Sequence, residues 1–195
     1  MKQELHFSTP IYNFDIGNNN FNKYLEEHII RWQSEDKGIQ RTNVNGWHSL
    51  DSMHQKEEYK PLVEDLYKAQ KIIYEKENYN LEPYLGNMWA NINYPGASNM
   101  KHMHPNSLWS GVYYVKTPEN CGNLRIEDPK SVGLMMTPNR KDPLPSYAER
   151  EITYKPVAGR LIIFPSYLNH CVETNKSNDI RISVSFNFLQ KGMFL

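Results

Sequence analysis

The apolar positions of the first 85 residues follow two helical stripes. Residues 20–33 place apolar side chains three or four positions apart, and residues 57–78 repeat this spacing around Pro61. A proline is tolerated in the first turn of a helix, because the N–H it lacks has no partner there. The stretch 8–16 has the short alternation of a strand. We therefore expect an N-terminal strand and two amphipathic supporting helices over residues 1–85.

From residue 86 the pattern changes to short β-prone runs separated by Pro, Gly and Asn. This is typical of strands joined by turns. Seven segments have this form: residues 87–94, 109–115, 122–128, 151–156, 159–165, 170–174 and 179–189. Such a series predicts an antiparallel sandwich or jelly roll. We expect one domain over 1–195, mainly β with N-terminal helices, whose barrel spans 86–190; the loop 129–149 is a candidate lid.

Charge and cysteine content exclude several classes of protein. The 195 residues carry 22 basic and 22 acidic side chains, so the general attraction to phosphate that drives nucleic-acid binding is absent. The sequence shows no apolar run long enough for a membrane span and no cationic leader. Cys121 and Cys171 lack any paired spacing, which argues against a disulfide framework or a zinc knot. We expect a cytoplasmic protein that binds neither nucleic acid nor membrane; its oligomeric state is not predicted.

Three histidines have the spacing of a metal site. In GASNMKHMHPNS, His102 and His104 are two residues apart, so the end of a strand presents both on one face. His170 follows GRLIIFPSYLN, and the turn before it can return it to the mouth of an antiparallel barrel. Three neutral imidazoles on one side of an ion leave its other positions open, as in mononuclear non-haem iron sites. The alternative is a set of polar loop histidines.

A polar strand face lies eleven residues beyond His170. RISVSFNF places Arg181, Ser183, Ser185 and Asn187 on one face and apolar residues on the other. An arginine fork with a hydroxyl two residues further on can hold a carboxylate inside a barrel. The alternative is an exposed strand face. The histidine upstream favours the carboxylate site.

Four segments occur in the order expected for a known superfamily. HMHPNSLWSGVYYV, GNLRIEDP, GRLIIFPSYLNHCV and RISVSFNF together resemble the 2-oxoglutarate- and Fe(II)-dependent oxygenases, in particular small oxygenases related to prolyl 4-hydroxylase that are common in marine bacteria and phages. The resemblance covers roughly residues 86–190. It implies a double-stranded β-helix, the jelly-roll barrel shared with cupins, that holds Fe(II) and uses 2-oxoglutarate and O₂.

The resemblance also implies a ligand set, with one departure. His102 would match the proximal histidine and His170 the distal one, while the usual carboxylate ligand falls on His104. Either His104 replaces that carboxylate, or His104 is the proximal ligand and Asn106 or water takes the carboxylate's place. We favour the first, since an imidazole binds divalent iron better than a carboxamide does.

Further residues acquire roles by the same resemblance. Arg181 would pair with the distal carboxylate of 2-oxoglutarate, with the hydroxyl of Ser183 beside it. Tyr114 lies where related hydroxylases have a tyrosine that bonds the same carboxylate; a core aromatic is the alternative. Asn91 and Asn93 share one strand face and could reach cosubstrate or substrate, or bond to nearby backbone instead.

The implied activity is hydroxylation by an iron(IV)-oxo species formed as 2-oxoglutarate loses CO₂ to give succinate. The substrate would be a protein side chain or a small metabolite. Three alternatives stay open: a cupin-like module that binds a metal or ligand without turnover, a three-histidine dioxygenase that does not use 2-oxoglutarate, and a catalytically inactive structural protein.

Overall fold

The chain folds as a curled antiparallel sheet with two helices against it. A computed structural model describes residues 1–130 and 138–192. The helices are Asn19–Glu35 (α1) and Lys60–Lys76 (α2). The strands are β1 (Tyr12–Asp15), β2 (Asn43–His48), β3 (Tyr84–His102), β4 (Trp109–Lys116), β5 (Leu124–Glu127), β6 (Glu151–Tyr154), β7 (Arg160–Pro165), β8 (His170–Val172) and β9 (Arg181–Leu189). The predicted mainly β fold with N-terminal helices is confirmed.

Local sequence explains where both helices begin and which face they bury. The Asn18 side chain accepts the Phe21 N–H at 3.0 Å, which caps α1. Leu25 and Ile29 then face the sheet and are fully buried. Pro61 lies in the first turn of α2, as predicted. Within the described residues, no helix is long and apolar enough to cross a membrane.

The central strand β3 determines how the sheet curls. The strand order is β1-β7-β4-β9-β3-β8-β5-β6, and β2 pairs with β3 as well. Residues 84–93 of β3 pair with β9, whereas residues 99–102 pair with β8. One long strand therefore joins the two halves of the curled sheet, and its inner face meets both.

The two faces of the sheet have opposite character. Four alternate residues of β9 pack in the main core with α1 and α2: Ile182, Val184, Phe186 and Phe188. A smaller apolar cluster inside the curl includes Val112, Tyr114, Ile162 and Phe164. The polar residues of β9 lie on this inner face, where they line a cavity. The alternation in the sequence thus separates a helix-covered apolar layer from a polar interior.

Two elements differ from the sequence prediction. Residues 43–48 carry no predicted element but form β2. A bulge with Asn45 at φ 54° interrupts the alternation that would mark this strand in the sequence. The strand expected to stop at Tyr94 continues to His102. Gly96, at φ 84°, allows the chain to bend there while strand pairing resumes beyond it.

The proposed lid receives no support from the part of the loop that the structure describes. Residues 131–137 lie outside the described residues. Residues 138–149 are largely exposed and contain a short 3₁₀ turn, Ser146–Ala148. None of residues 138–149 lines the cavity with the three histidines.

Two adjacent isoleucines of α2 test the packing of the helices. Ile73 is 2 % exposed and Ile72 is 55 % exposed. We expect Ile73→Ala to lower the free energy of unfolding by about 2–5 kcal/mol, because it leaves a cavity in the core. The matched change Ile72→Ala should cost less than about 0.5 kcal/mol. Denaturant unfolding of both variants measures this, and equal losses would contradict the described orientation of α2.

Candidate active site

Three histidines from two strand ends lie together in one cavity. His102, the last residue of β3, is the register partner of His170, the first residue of β8. His104 follows, and its backbone N–H donates to the Ser166 carbonyl at 3.0 Å. The ring centroids of His102 and His170 are 4.3 Å apart, and His104 lies 4.9 and 5.1 Å from them. One ligand atom of each histidine lies within 4.8 Å of the others.

Backbone carbonyls fix the proton position on two of these rings. Nδ1 of His102 is 2.7 Å from the Met100 carbonyl, and Nδ1 of His170 is 2.9 Å from the Leu168 carbonyl. A carbonyl oxygen only accepts hydrogen bonds, so each Nδ1 carries the proton and donates it. Nε2 of both rings therefore keeps a free lone pair. This is the usual way in which a protein prepares a histidine to bind a metal.

Burial keeps all three rings neutral near pH 7. It is the main cause that lowers the pKa of each, to about 3 for His104 and about 4 for His170. The pKa of His102 is lowered by the same cause. A neutral imidazole is the form that binds a metal ion.

The donor set fits one divalent transition metal. Imidazole nitrogens bind such ions at about 2.1 Å, so donors held this close together reach one ion with small side-chain adjustments. Among the described residues, no aspartate, glutamate or cysteine joins the group. Asn106, the alternative ligand, lies in an exposed turn at φ 68° and does not line the cavity. The geometry favours His104 as the third donor.

A single cavity of about 290 Å³ connects the histidines to the polar face of β9. Arg181 and Ser183 line it, together with Asn91. Its walls also include Val112 and Phe164 from the inner apolar cluster. A molecule in this cavity can therefore contact the histidines and a buried arginine at the same time.

Arg181 is a buried cation without a counter-ion among the described residues. It is 1 % exposed, and its guanidinium donates to Asn93 Oδ1 at 3.1 Å and to Ser183 Oγ at 3.0 Å. In the described part of the chain, no carboxylate lies within ion-pair distance of it. A buried charge without a partner is costly, so the site is suited to an anionic ligand.

Two of the predicted residues contact Arg181 directly. Tyr114 is fully buried, and its ring centroid is 5.2 Å from the guanidinium carbon. Asn93 accepts from Arg181 and donates to Asn99 Oδ1 at 2.9 Å. Neither lines the cavity. Both contact the arginine, and the buried Tyr114 hydroxyl has no hydrogen-bond partner among the described residues.

Asn91 does line the cavity, and its side chain is only half satisfied. Its amide nitrogen donates to Ser185 Oγ at 3.2 Å. Its amide oxygen is buried and has no hydrogen-bond partner among residues 1–130 and 138–192. Its hydrogen-bonding capacity is therefore unused by the described residues.

His48 and Trp89 are among the cavity residues that sequence reasoning missed. Their rings stack at 5.4 Å and 9°, and Trp89 lies 5.7 Å from the His104 ring. Nδ1 of His48 donates to the Ser49 carbonyl at 2.6 Å, and burial lowers the pKa of His48. Trp89 could have been found, since it alternates with Asn91 on one strand face. No such alternation marks His48 in the sequence, because the bulge in β2 interrupts it.

Comparisons with known proteins agree with this geometry. A family described as "Putative 2OG-Fe(II) oxygenase" matches residues 87–187, more than half of the 195 residues. No curated protein matches the chain.

Several solved structures share the fold. A prolyl-4-hydroxylase from Pseudomonas putida superposes with a TM-score of 0.70 at 18% identity, covering 95% of each chain. The epimerase SnoN of nogalamycin biosynthesis, solved with Fe³⁺, alpha ketoglutarate and nogalamycin RO, gives 0.71 at 10% identity, over 93% of this chain and 79% of that one. Viral collagen prolyl hydroxylase from Paramecium Bursaria Chlorella virus-1, in its 2OG complex, gives 0.61 at 15% identity, over 92% and 96%.

These matches confirm the predicted double-stranded β-helix. At such low identity the structures establish the fold alone, whereas the family match extends over the three histidines and Arg181. The chain belongs to the family of 2-oxoglutarate- and Fe(II)-dependent oxygenases.

Proposed function

We propose that this oxygenase hydroxylates an organic substrate, with His102, His104 and His170 as the iron ligands and Arg181 as the anchor of 2-oxoglutarate. The observation that carries this proposal is one cavity that joins three neutral histidines to a buried arginine, which has no counter-ion in the part of the chain that the structure describes. Fe(II) bound there supplies the centre at which a 2-oxo acid is chelated and O₂ is reduced.

The three histidines hold the metal through their Nε2 or Nδ1 lone pairs while the protein controls their orientation. Carbonyls fix His102 and His170, which leaves Nε2 of each as the donor. With three neutral ligands, Fe(II) keeps its full formal charge. The centre is therefore more positive than one with a carboxylate ligand, and this favours a chelating dianion.

Arg181 and Ser183 bind the distal carboxylate of the cosubstrate. The guanidinium is buried and supplies charge-assisted donors, which form strong bonds in such surroundings. Tyr114 and Asn93 act through Arg181, since they contact it and do not line the cavity. We propose that they position the arginine and do not bind the cosubstrate themselves.

Among the predicted polar residues, Asn91 is the one best suited to bind the substrate. Asn91 and Ser185 both line the cavity, and the buried Asn91 oxygen has no partner among the described residues. 2-Oxoglutarate offers only acceptors, so it binds an Asn91 oxygen poorly. Either the substrate supplies a donor there, or the amide rotates and donates to the cosubstrate.

A three-histidine dioxygenase that does not use 2-oxoglutarate is the second candidate. It is favoured by the absence of an acidic ligand among the described residues. The two functions differ in one respect that can be measured, because only the proposed function forms succinate from 2-oxoglutarate. A binding module without turnover would form no product at all.

The first test is the chelate and its turnover. Adding 2-oxoglutarate to the anaerobic Fe(II) protein should produce a visible charge-transfer absorption, and admission of O₂ should give succinate slowly without any substrate. We expect His170→Ala to abolish both, while His28→Ala on α1 retains them. A folded wild-type protein that shows neither signal would contradict the proposed function.

The second test concerns the arginine. Arg181→Gln should weaken 2-oxoglutarate binding about 10- to 100-fold, as expected for loss of one or two charge-assisted hydrogen bonds worth about 1.5–3 kcal/mol. Fe(II) affinity should stay unchanged. Arg160→Gln is the matched control, since Arg160 pairs with Asp15 at the surface. Titration of the charge-transfer band with 2-oxoglutarate measures the affinity of each variant. Equal affinities in the two variants would refute the role of Arg181 as the anchor of 2-oxoglutarate.

The third test asks whether His104 stands in for a carboxylate. We expect His104→Ala to lower Fe(II) affinity by more than about 100-fold, because loss of a supporting hydrogen bond alone costs 10–100-fold. His104→Asp should retain binding, since it restores a ligand at the same position. Anaerobic competition with a chelator measures both affinities. If His104→Ala binds Fe(II) as the wild type does, His104 is not a ligand.

A further inference from the structure

Trp89 is the one tryptophan of the chain that faces the proposed iron centre. It lies on the inner face of β3, lines the cavity and is 9 % exposed. The other three tryptophans, Trp32, Trp47 and Trp109, belong to the core between the sheet and the helices. The four indoles thus divide into one inside the curl and three outside it.

The indole of Trp89 is held against the histidine cluster. Its ring centroid is 5.7 Å from that of His104, at a tilt of 58°. His48 covers one face in a parallel stack at 5.4 Å, and its own ring is fixed by the hydrogen bond to the Ser49 carbonyl. The ring is therefore separated from the proposed iron only by a ligand, and it has little freedom to turn away.

Chemistry distinguishes Trp89 from the other oxidisable groups nearby. Phe164 lies 4.8 Å from the His170 ring, but it is 2 % exposed and its benzene ring is less electron-rich than indole. Met103 also lines the cavity, yet it is 44 % exposed and largely in solvent. Trp89 is the electron-rich group confined inside the cavity.

We propose that Trp89 is hydroxylated by its own active site when 2-oxoglutarate turns over without substrate. The inference rests on the proposed function and adds a covalent modification site to it. An oxygenase avoids such side reactions only while substrate fills the cavity. Hydroxytryptophan at position 89 is the expected product when 2-oxoglutarate is turned over with no substrate in the cavity.

The reaction balances without any further reagent. 2-Oxoglutarate loses CO₂, and one atom of O₂ enters the new carboxylate of succinate. The other atom is inserted into one C–H bond of the indole, whose hydrogen ends on the new hydroxyl group. Two electrons come from 2-oxoglutarate and two from the C–H bond, which together reduce O₂ completely.

The experiment uses the intact Fe(II) protein with 2-oxoglutarate, isotopically heavy O₂ and no substrate. Succinate is quantified, and peptides are analysed by mass spectrometry. We expect one heavy oxygen on Trp89, increasing with the amount of succinate and absent when 2-oxoglutarate is omitted. Trp32, Trp47 and Trp109 serve as internal controls and should remain unmodified. Trp89→Phe should lose this label.

The outcomes separate the two proposals. Succinate without heavy oxygen on Trp89, or with the label on Met103 or Phe164 instead, overturns the inference and leaves the proposed function standing. Absence of succinate in the folded wild-type protein overturns both.

A second measurement tests proximity without turnover. Co(II) alone, which nitrogen ligands bind well, should quench tryptophan emission of the wild type more than that of Trp89→Phe, while diamagnetic Zn(II) should not. Equal quenching in the two proteins would show that Trp89 does not lie beside the metal, and the inference would fail.

Discussion

The change of partner along β3 is the constraint on which the site depends. Its first half is hydrogen-bonded to β9 and its last residues to β8, so one strand carries the arginine's neighbour Asn93 near its middle and a metal-type histidine at its end. The register fixes Asn93 opposite Arg181 and His102 opposite His170. A slip of one residue would turn both sets of side chains to the wrong face.

The same alternation that builds the core also builds the polar interior. On β9, apolar residues bind the helices to the sheet, and the intervening polar residues face the cavity. A polar interior costs stability unless its groups find partners. Serine and asparagine side chains supply most of these, as in the bond from Ser110 to Asn187 Oδ1 at 2.6 Å. Arg181 has no carboxylate partner within residues 1–130 and 138–192, so its buried charge suits an anionic ligand.

Period-two patterning explains what the sequence could predict. It placed His102 beside His104 and put Arg181 and Ser183 on one face, and the structure brings these residues to one cavity. It could not show that the Tyr114 ring lies against the guanidinium of Arg181, because contacts across a barrel depend on curvature and not on the order of residues. The bulge in β2 breaks the period, and for this reason the neighbourhood of His48 was invisible.

The hydrogen bonds from His102 and His170 to backbone carbonyls divide the three donors into two kinds. These two rings lose their rotational freedom when the chain folds. The entropy cost of ordering them therefore belongs to folding and does not weaken metal binding. The His104 side chain has no such bond within the described residues, and only neighbouring rings restrain it. The centre therefore combines two rigid donors with one adjustable donor. Changes in metal size or coordination number would be absorbed mainly by movement of His104.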